Sequence, residues 1–177
     1  MITKNQIKLI KSLRIKKNRI QSGFFIAEGE KIIDELLQSK LETVHIFSTV
    51  NKYSFSDYYI PIKNAQLKQI SYLKTPNKVV GLFKIPKNSV IDFNSNIIAL
   101  EEINDPGNLG TIIRLCDWYG IKNIICSINS VDCYNPKVIQ ASMGSISRVN
   151  ISYMDLEKLV ADKNYKTVAA DLKGQKL

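Results

Sequence analysis

The chain carries one histidine and three cysteines in 177 residues, and these scarcities remove whole classes of chemistry. His45 falls in a predicted strand of the first half, so histidine acid or base work and a histidine-held metal are not expected, and no metal is implied. Cys116, Cys126 and Cys133 cannot all pair within one chain and none forms a Cys-x-x-Cys motif. Free thiols in a reducing cytosol are the simplest account. No apolar run approaches the roughly 18 residues that a membrane helix needs. The amino terminus lacks the apolar core of a signal peptide, so the expected setting is cytoplasmic. Neither a Gly-x-Gly-x-x-Gly fingerprint nor a phosphate-binding P-loop is present, which sets aside NAD and ATP. Internal repeats and low-complexity tracts are also missing.

Acid is missing where base is abundant. No Asp or Glu precedes Glu28, while Lys4, Lys8, Lys11, Arg14, Lys16, Lys17 and Arg19 crowd the first 19 residues. Residues 1–90 hold 16 Lys and Arg against 6 Asp and Glu, a balance of +10; residues 91–177 hold 9 against 10, a balance of −1. A basic excess confined to one half is the electrostatic footprint of a polyanion such as RNA. A solvated basic helix is the bland alternative. An anionic membrane surface is disfavoured, because the helix has no Trp or Phe on its apolar side.

The pattern predicts two α/β units. In the first, residues 4–18 read as a helix with Ile7, Ile10 and Leu13 inward and broken by Ser22-Gly23; Phe24–Ala27 as a strand or packed turn; Glu28–Gln38 as a helix; Thr43–Ser48 as a strand; Ala65–Leu73 as a helix; and Val79–Phe83 as a strand. Tyr53, Phe55, Tyr58 and Tyr59 form an aromatic cluster for which core packing is favoured over stacking on unpaired bases. A polar, proline-bearing linker follows at Ile85–Ser89, extending toward Asn96. The second unit reads as strand 97–103, helix 110–119, strand 123–126, helix 136–146, helix 156–163 and strand 166–170, joined by crossovers that imply a parallel sheet.

The most informative stretch is Asn104-Asp-Pro-Gly-Asn-Leu-Gly-Thr-Ile-Ile-Arg114. It follows the apolar strand Ile97–Leu100, of the kind that fills the middle of a parallel sheet, and opens a helix stopped by Gly120. Ile112, Leu115, Cys116 and Tyr119 share one helical face, which puts Arg114 about 200° from Ile112 at roughly 100° per residue and directs it away from the core. An Arg beside a glycine-rich bend at the carboxyl end of a sheet strand stands where open α/β sheets place ligands. Gly107 and Gly110 allow unusual backbone or close approach. Farther on, Asn135-Pro136 suits a helix start, and Ala141, Ser142, Gly144 and Ser145 offer a small-residue surface for another backbone.

These residues resemble a known family. Asn104–Arg114 with Asp117–Ile121 is similar to the first motif of the SpoU-type, or TrmH-like, RNA ribose 2′-O-methyltransferases of the SPOUT superfamily, and Asn135–Ser145 to the second. Arg19 and Phe25–Gly29 resemble the substrate-binding domain that many members carry. The resemblance implies an α/β fold with an RNA substrate-binding domain over residues 1–88 and, over residues 95–177, the first part of an α/β knot methyltransferase domain. It implies S-adenosylmethionine as co-substrate, a homodimer, and RNA as substrate, ribosomal RNA favoured and transfer RNA possible. In the family the residue matching Arg114 is assigned to deprotonating or orienting the ribose hydroxyl. An arginine pKa above about 12 makes a base role awkward, so contact with a phosphate or the developing alkoxide is the physically safer expectation, with Asn108 fixing geometry. Ser142 and Gly144 match the border of the donor site, and Gln140 stands where many relatives have Arg. Lys8, Lys11, Lys16, Arg19 and Glu28 are the expected RNA contacts, although Glu28 also suits a helix start. The third motif, Gly-Asn-Glu followed by Ser-Leu-Asn, does not occur before Leu177, and residues 95–177 supply 83 residues where a domain of about 150 is ordinary. A truncated enzyme is the expectation, with a non-catalytic RNA-binding module or remnant as the rival.

Overall fold

The computed structural model describes residues 1–87, 91–161 and 166–170. The basic amino-terminal segment folds as two helices, α1 (Lys4–Ser12) and α2 (Lys16–Ser22), where a single helix over 4–18 was expected. Thr3 starts α1 with a reciprocal capping box, its hydroxyl accepting from the Gln6 amide at 3.2 Å while the Gln6 side chain accepts from the Thr3 amide at 2.8 Å. The chain then breaks at an extended Ile15. Carbonyls that a continuous helix would have bonded are served by side chains: Asn18 donates to Ser12 at 2.9 Å, and Arg19 to Leu13 at 2.7 Å and Arg14 at 3.0 Å. The break lets Leu13 stay buried while Arg19 turns inward. Gly23, in the left-handed region at φ 71°, closes α2.

The rest of the first half comprises β1 (Phe24–Glu28), α3 (Glu30–Leu37), β2 (Thr43–Ser48), β3 (Tyr59–Pro61), α4 (Asn64–Ile70) and β4 (Val79–Lys84). The strands form one mixed sheet in the order β1-β4-β2-β3, in which β4 runs antiparallel to both neighbours and β3 parallel to β2. Strand alternation divides the side chains between two layers. Ile26, Phe47, Val80 and Leu82 pack under α1 and α4. Phe25, Ala27, Ile46, Val79 and Phe83 lie in another core with α3. The aromatic cluster splits: Tyr53 is buried, Tyr59 half-buried, and Phe55 and Tyr58 are exposed.

The second half comprises β5 (Ile97–Leu100), α5 (Pro106–Trp118), β6 (Asn123–Cys126), α6 (Pro136–Ser142), β7 (Asn150–Tyr153) and α7 (Leu156–Ala161). Its sheet is parallel, as expected, in the order β5-β6-β7, with Ile98 opposite Ile124 and Ile124 opposite Ile151. Three expectations need correction. Strand β7 has no counterpart among the expected elements. The expected strand 166–170 has no regular structure and is exposed. The strand taken for the middle of the sheet is, among the described residues, an edge, with Ile97, Ile98 and Leu100 half-buried and Ala99 exposed. Residues 162–163 of the expected last helix and 88–89 of the expected linker lie outside the described residues.

One face of the parallel sheet is covered by α5 and α6, which pack on each other. An ideal Cβ on Gly110 would come within 2.5 Å of the Ala141 Cβ and 2.8 Å of the Val138 carbonyl, so the helices cross where α5 has no side chain. The small-residue surface of α6 therefore receives the backbone of α5. Leu109, Ile113, Val138 and Ile139 join Phe25, Ile33 and Phe83 in one core, and the rings of Phe25 and Tyr134 lie 5.0 Å apart. The two halves are thus fused through apolar packing.

Candidate functional site

The bend after β5 is built from backbone bonds to two serines. Ser127 and Ser130, in the loop after β6, have hydroxyls 3.0 Å apart; the first accepts from the Glu102 amide at 2.7 Å and the second from the Ile103 amide at 3.2 Å. Glu102 is held at φ 44°, a left-handed conformation uncommon for a residue with a side chain. Asp105 then caps α5, its carboxylate accepting from the Asn108 amide at 2.8 Å, and Pro106 occupies the first turn. The stretch read as a glycine-rich bend before a helix at residue 110 or 111 is already that helix, which begins at Pro106.

The earlier start rotates the buried face. Leu109, Gly110, Ile113 and Cys116 face the core, whereas Leu115 and Tyr119, expected inward, are exposed. The spacing i, i+4, i+7 fits 109, 113 and 116 once Leu109 is counted as helical. Arg114 is exposed, as expected. Asn108, Thr111, Arg114, Leu115 and Trp118 make an exposed stripe along α5, polar where the helix begins and apolar where it ends. Asn108 and Arg114 stand six positions apart, about 9 Å along the axis at roughly 1.5 Å per residue and about 120° around it, at opposite edges of the stripe.

Ser142 and Gly144 sit where α6 ends. Met143 and Gly144 both adopt positive φ, 50° and 94°, which stops the helix expected to run to 146 and leaves a short 3-10 turn at Ser145–Ser147. The Ser142 hydroxyl is buried and donates to the Ile139 carbonyl at 2.9 Å. A Cβ on Gly144 would lie 2.6 Å from that of Glu35 in α3, so this turn touches the first half. Arg148, just beyond, donates to Glu35 at 2.7 Å and to Asp117 of α5 at 2.9 Å. The Arg148 bonds hold the Asp117 carboxyl below its usual range despite partial burial. This bridge had no signal in sequence spacing, since 113 residues separate Glu35 from Arg148.

Arg19 is corrected. It is only 2% exposed, donates to Asp132 at 2.6 and 2.9 Å, and also bonds the Leu13 and Arg14 carbonyls in the break between α1 and α2. Its role is to tie α2 to the loop ahead of α6, and four of its five N–H donors are spent inside the fold. Glu28 is also buried, with Ser71 and the Tyr72 amide donating to its two oxygens; burial pushes its carboxyl above the usual range, and these bonds oppose the shift. Lys8, Lys11 and Lys16 are exposed along α1 and α2, and Lys16 approaches the Tyr153 ring at 5.9 Å. Among the described residues, no group of His, Cys, Asp and Glu is placed to hold a metal, and no helix is long and apolar enough to cross a membrane.

Comparison with known proteins bears on both halves. Residues 95–177 match the SpoU rRNA Methylase family, and residues 4–81 match the MRM3-like substrate binding domain. The chain is 28% identical to the 23S rRNA (guanosine(2553)-2′-O)-methyltransferase RlmP of Bacillus subtilis, across 93% of this chain and 71% of that protein. It is 26% identical to the human mitochondrial rRNA methyltransferase 3, across 75% of this chain and 36% of that one. Among solved structures, a TrmH-family protein from Porphyromonas gingivalis superposes with a TM-score of 0.74 at 30% identity, covering 87% of this chain and 63% of the other. An AdoMet-bound rRNA methyltransferase from Sinorhizobium meliloti gives 0.77 at 25%, covering 90% and 65%. This chain therefore spans less than two thirds of those solved chains.

Proposed function

Starting from the chain's membership of the SpoU rRNA methylase family, which its two matched segments establish, we propose that it serves the S-adenosylmethionine-dependent methylation of a ribose 2′-hydroxyl in ribosomal RNA. The observation that carries this reading is α5 itself, which presents Asn108 from its capped first turn and Arg114 two turns on to solvent, while its other face is locked into the core. S-adenosylmethionine supplies a methyl group on a sulfonium, which needs an in-line oxygen nucleophile and neither metal nor covalent intermediate. Arg114 stabilises the negative charge that grows on the 2′-oxygen as its proton leaves, or grips the adjoining phosphate, while Asn108 sets the sugar's orientation.

The donor side falls to the turn at Ser142–Ser145. The Ser142 hydroxyl is already bonded within α6 and Gly144 is buried against Glu35, so a ligand at this turn meets the exposed Met143 first. Lys8, Lys11 and Lys16 supply the electrostatic hold on RNA, on a helix pair free of acid. The same reading includes a homodimer and a cytoplasmic setting. Leu115, Trp118 and Tyr119, at 54%, 85% and 71% exposure, form an apolar patch next to Arg114 of the kind that marks association. Trp118→Glu should then turn a dimer into a monomer by sedimentation; a chain already monomeric before substitution would remove the dimer.

Transfer of labelled methyl from S-adenosylmethionine to ribosomal RNA, with the product resisting alkaline cleavage at one ribose, is the direct test. RNA binding without any methyl incorporation would favour the non-catalytic module instead.

A further inference from the structure

Where β1 meets α6, a cavity of about 480 Å³ opens between the two halves. Sites for small ligands commonly occupy about 300–1,000 Å³. Ile26, Leu73 and Ala141 give it an apolar wall; Glu28 supplies a carboxylate, and Lys74 and Lys137 stand at it as exposed cations. The Glu28 side is rigidly built. Ser71 Oγ donates to Glu28 Oε2 at 2.5 Å and the Tyr72 amide to Oε1 at 2.6 Å. Tyr72 is itself fixed, its hydroxyl donating to the Ile10 carbonyl and its ring lying 4.4 Å under the Arg14 guanidinium, which also reaches the Ser71 carbonyl at 3.3 Å.

A carboxylate this buried is ordinarily paired with a cation. Glu28 is 4% exposed, and the Arg14 guanidinium acts on it only at longer range; among the described residues no Lys or Arg lies within ion-pair distance of it. Each of its oxygens has one bond and a lone pair to spare. A ligand that satisfies it must bring donors, because an ionised carboxylate only accepts. Among the four RNA bases, guanine alone presents two adjacent N–H donors on its Watson–Crick edge. Adenine and cytosine place an acceptor beside their amino group, and uracil flanks its single N–H with two carbonyls.

We propose that this cavity is a nucleobase pocket for an unpaired guanine of the bound RNA, with Glu28 accepting from its N1–H and N2–H groups and Lys74 and Lys137 holding its phosphates. The proposal rests on the RNA reading above and deepens it. It gives Glu28 a role in choosing the substrate, distinct from the chemistry at Arg114. The apolar wall covers the base faces, and the position between the halves couples recognition of one nucleotide to the docking that carries Asn108 and Arg114.

The test uses the whole chain and calorimetric titration with guanosine, inosine and adenosine 5′-monophosphates. Guanosine monophosphate should bind at least ~10-fold tighter than adenosine monophosphate, the scale of a charge-assisted pair of hydrogen bonds, with the inosine compound, lacking the 2-amino group, between them. Glu28→Gln should erase that order, and Gln140→Trp, which fills the cavity from the α6 side, should weaken all three. A single-stranded RNA with one guanosine should displace the mononucleotide better than its inosine counterpart. No preference for guanine overturns the pocket, and failure of RNA to compete overturns its assignment to RNA in favour of a free nucleotide. Methyl incorporation into ribosomal RNA is scored separately, so an active enzyme without this preference leaves the main reading standing and removes only the base pocket.

Discussion

In residues 1–87 the mixed sheet is covered on both faces, by α1 and α4 on one side and by α3 and the second half on the other. In residues 91–161 the parallel sheet has α5 and α6 on one face, while the described residues buried on the other are Ile91, Ile125 and Leu156. The charge is divided as unevenly, +10 over residues 1–90 against −1 over residues 91–177. The half proposed to hold RNA is the better-packed body, and the half proposed to carry the chemistry leans on it. The placement of α5, and with it Arg114, against the first half is therefore set by contacts between halves: the shared core, the Arg19–Asp132 pair, and Arg148 bridging Glu35 and Asp117.

Breaking the strongest of these contacts should have the largest effect. Arg19→Ala leaves Asp132, whose side chain is only 14% exposed, without its cation and strips the Leu13 and Arg14 carbonyls, in the break between α1 and α2, of a donor. A loss of about 3–5 kcal/mol in urea unfolding is expected, as for other halved buried pairs. Arg19→Met with Asp132→Leu should recover most of it, because apolar replacement of a whole buried pair is often neutral or better. If Arg19→Ala unfolds at the same urea concentration as the native chain, the docking of the halves does not depend on this pair.

Next in size is the chemistry itself. Arg114→Ala removes an exposed side chain that makes no contact with the core, so stability should stay within about 0.5 kcal/mol. Methyl transfer should fall by about 10²–10³, the usual cost of losing one donor to a developing oxyanion. RNA affinity should change little. A variant that keeps its rate would move the charge stabilisation elsewhere on the α5 stripe.

Much of this arrangement was legible in the residues. Asn135-Pro136 announced the start of α6, and its cap bond to the Lys137 amide is there at 2.9 Å. The parallel order of β5 and β6 followed from apolar strands separated by a helix. What stayed hidden was mostly non-local. Arg19 looked like one more member of a basic run, and only a partner 113 residues away turns it inward. The rotation of α5 was misjudged because its cap, Asp105, lies before two glycines that read as a loop, although Gly110 is needed there for contact with α6. Strand β7 is too short and too polar at Asn150 and Ser152 to announce itself; pairing with β6 makes it a strand.

The electrostatic side of the contrast is tested by removing charge from the basic half alone. Changing Lys8, Lys11 and Lys16 to Ala should leave folding intact, since all three are exposed. It should lower RNA affinity and flatten the dependence of log K on log salt by roughly 0.7 per lost phosphate contact on single strands, about 2 in total if each lysine meets one phosphate. An unchanged slope would transfer the RNA contact to another surface.

The smallest change separates the two halves most finely. Asp105→Ala removes the side-chain acceptor of the Asn108 amide and nothing from the interface between halves. Global stability should drop by only about 0.5–2 kcal/mol, the ordinary cost of an N-cap. The loosened first turn is, however, the one that positions Asn108, so methyl transfer should fall further than the loss of folded protein explains, while RNA affinity holds. Asp105→Asn retains an acceptor oxygen and should restore both. If the rate tracks the folded fraction alone, the first turn of α5 is only structural, and the catalytic geometry belongs to the half of the helix that carries Arg114.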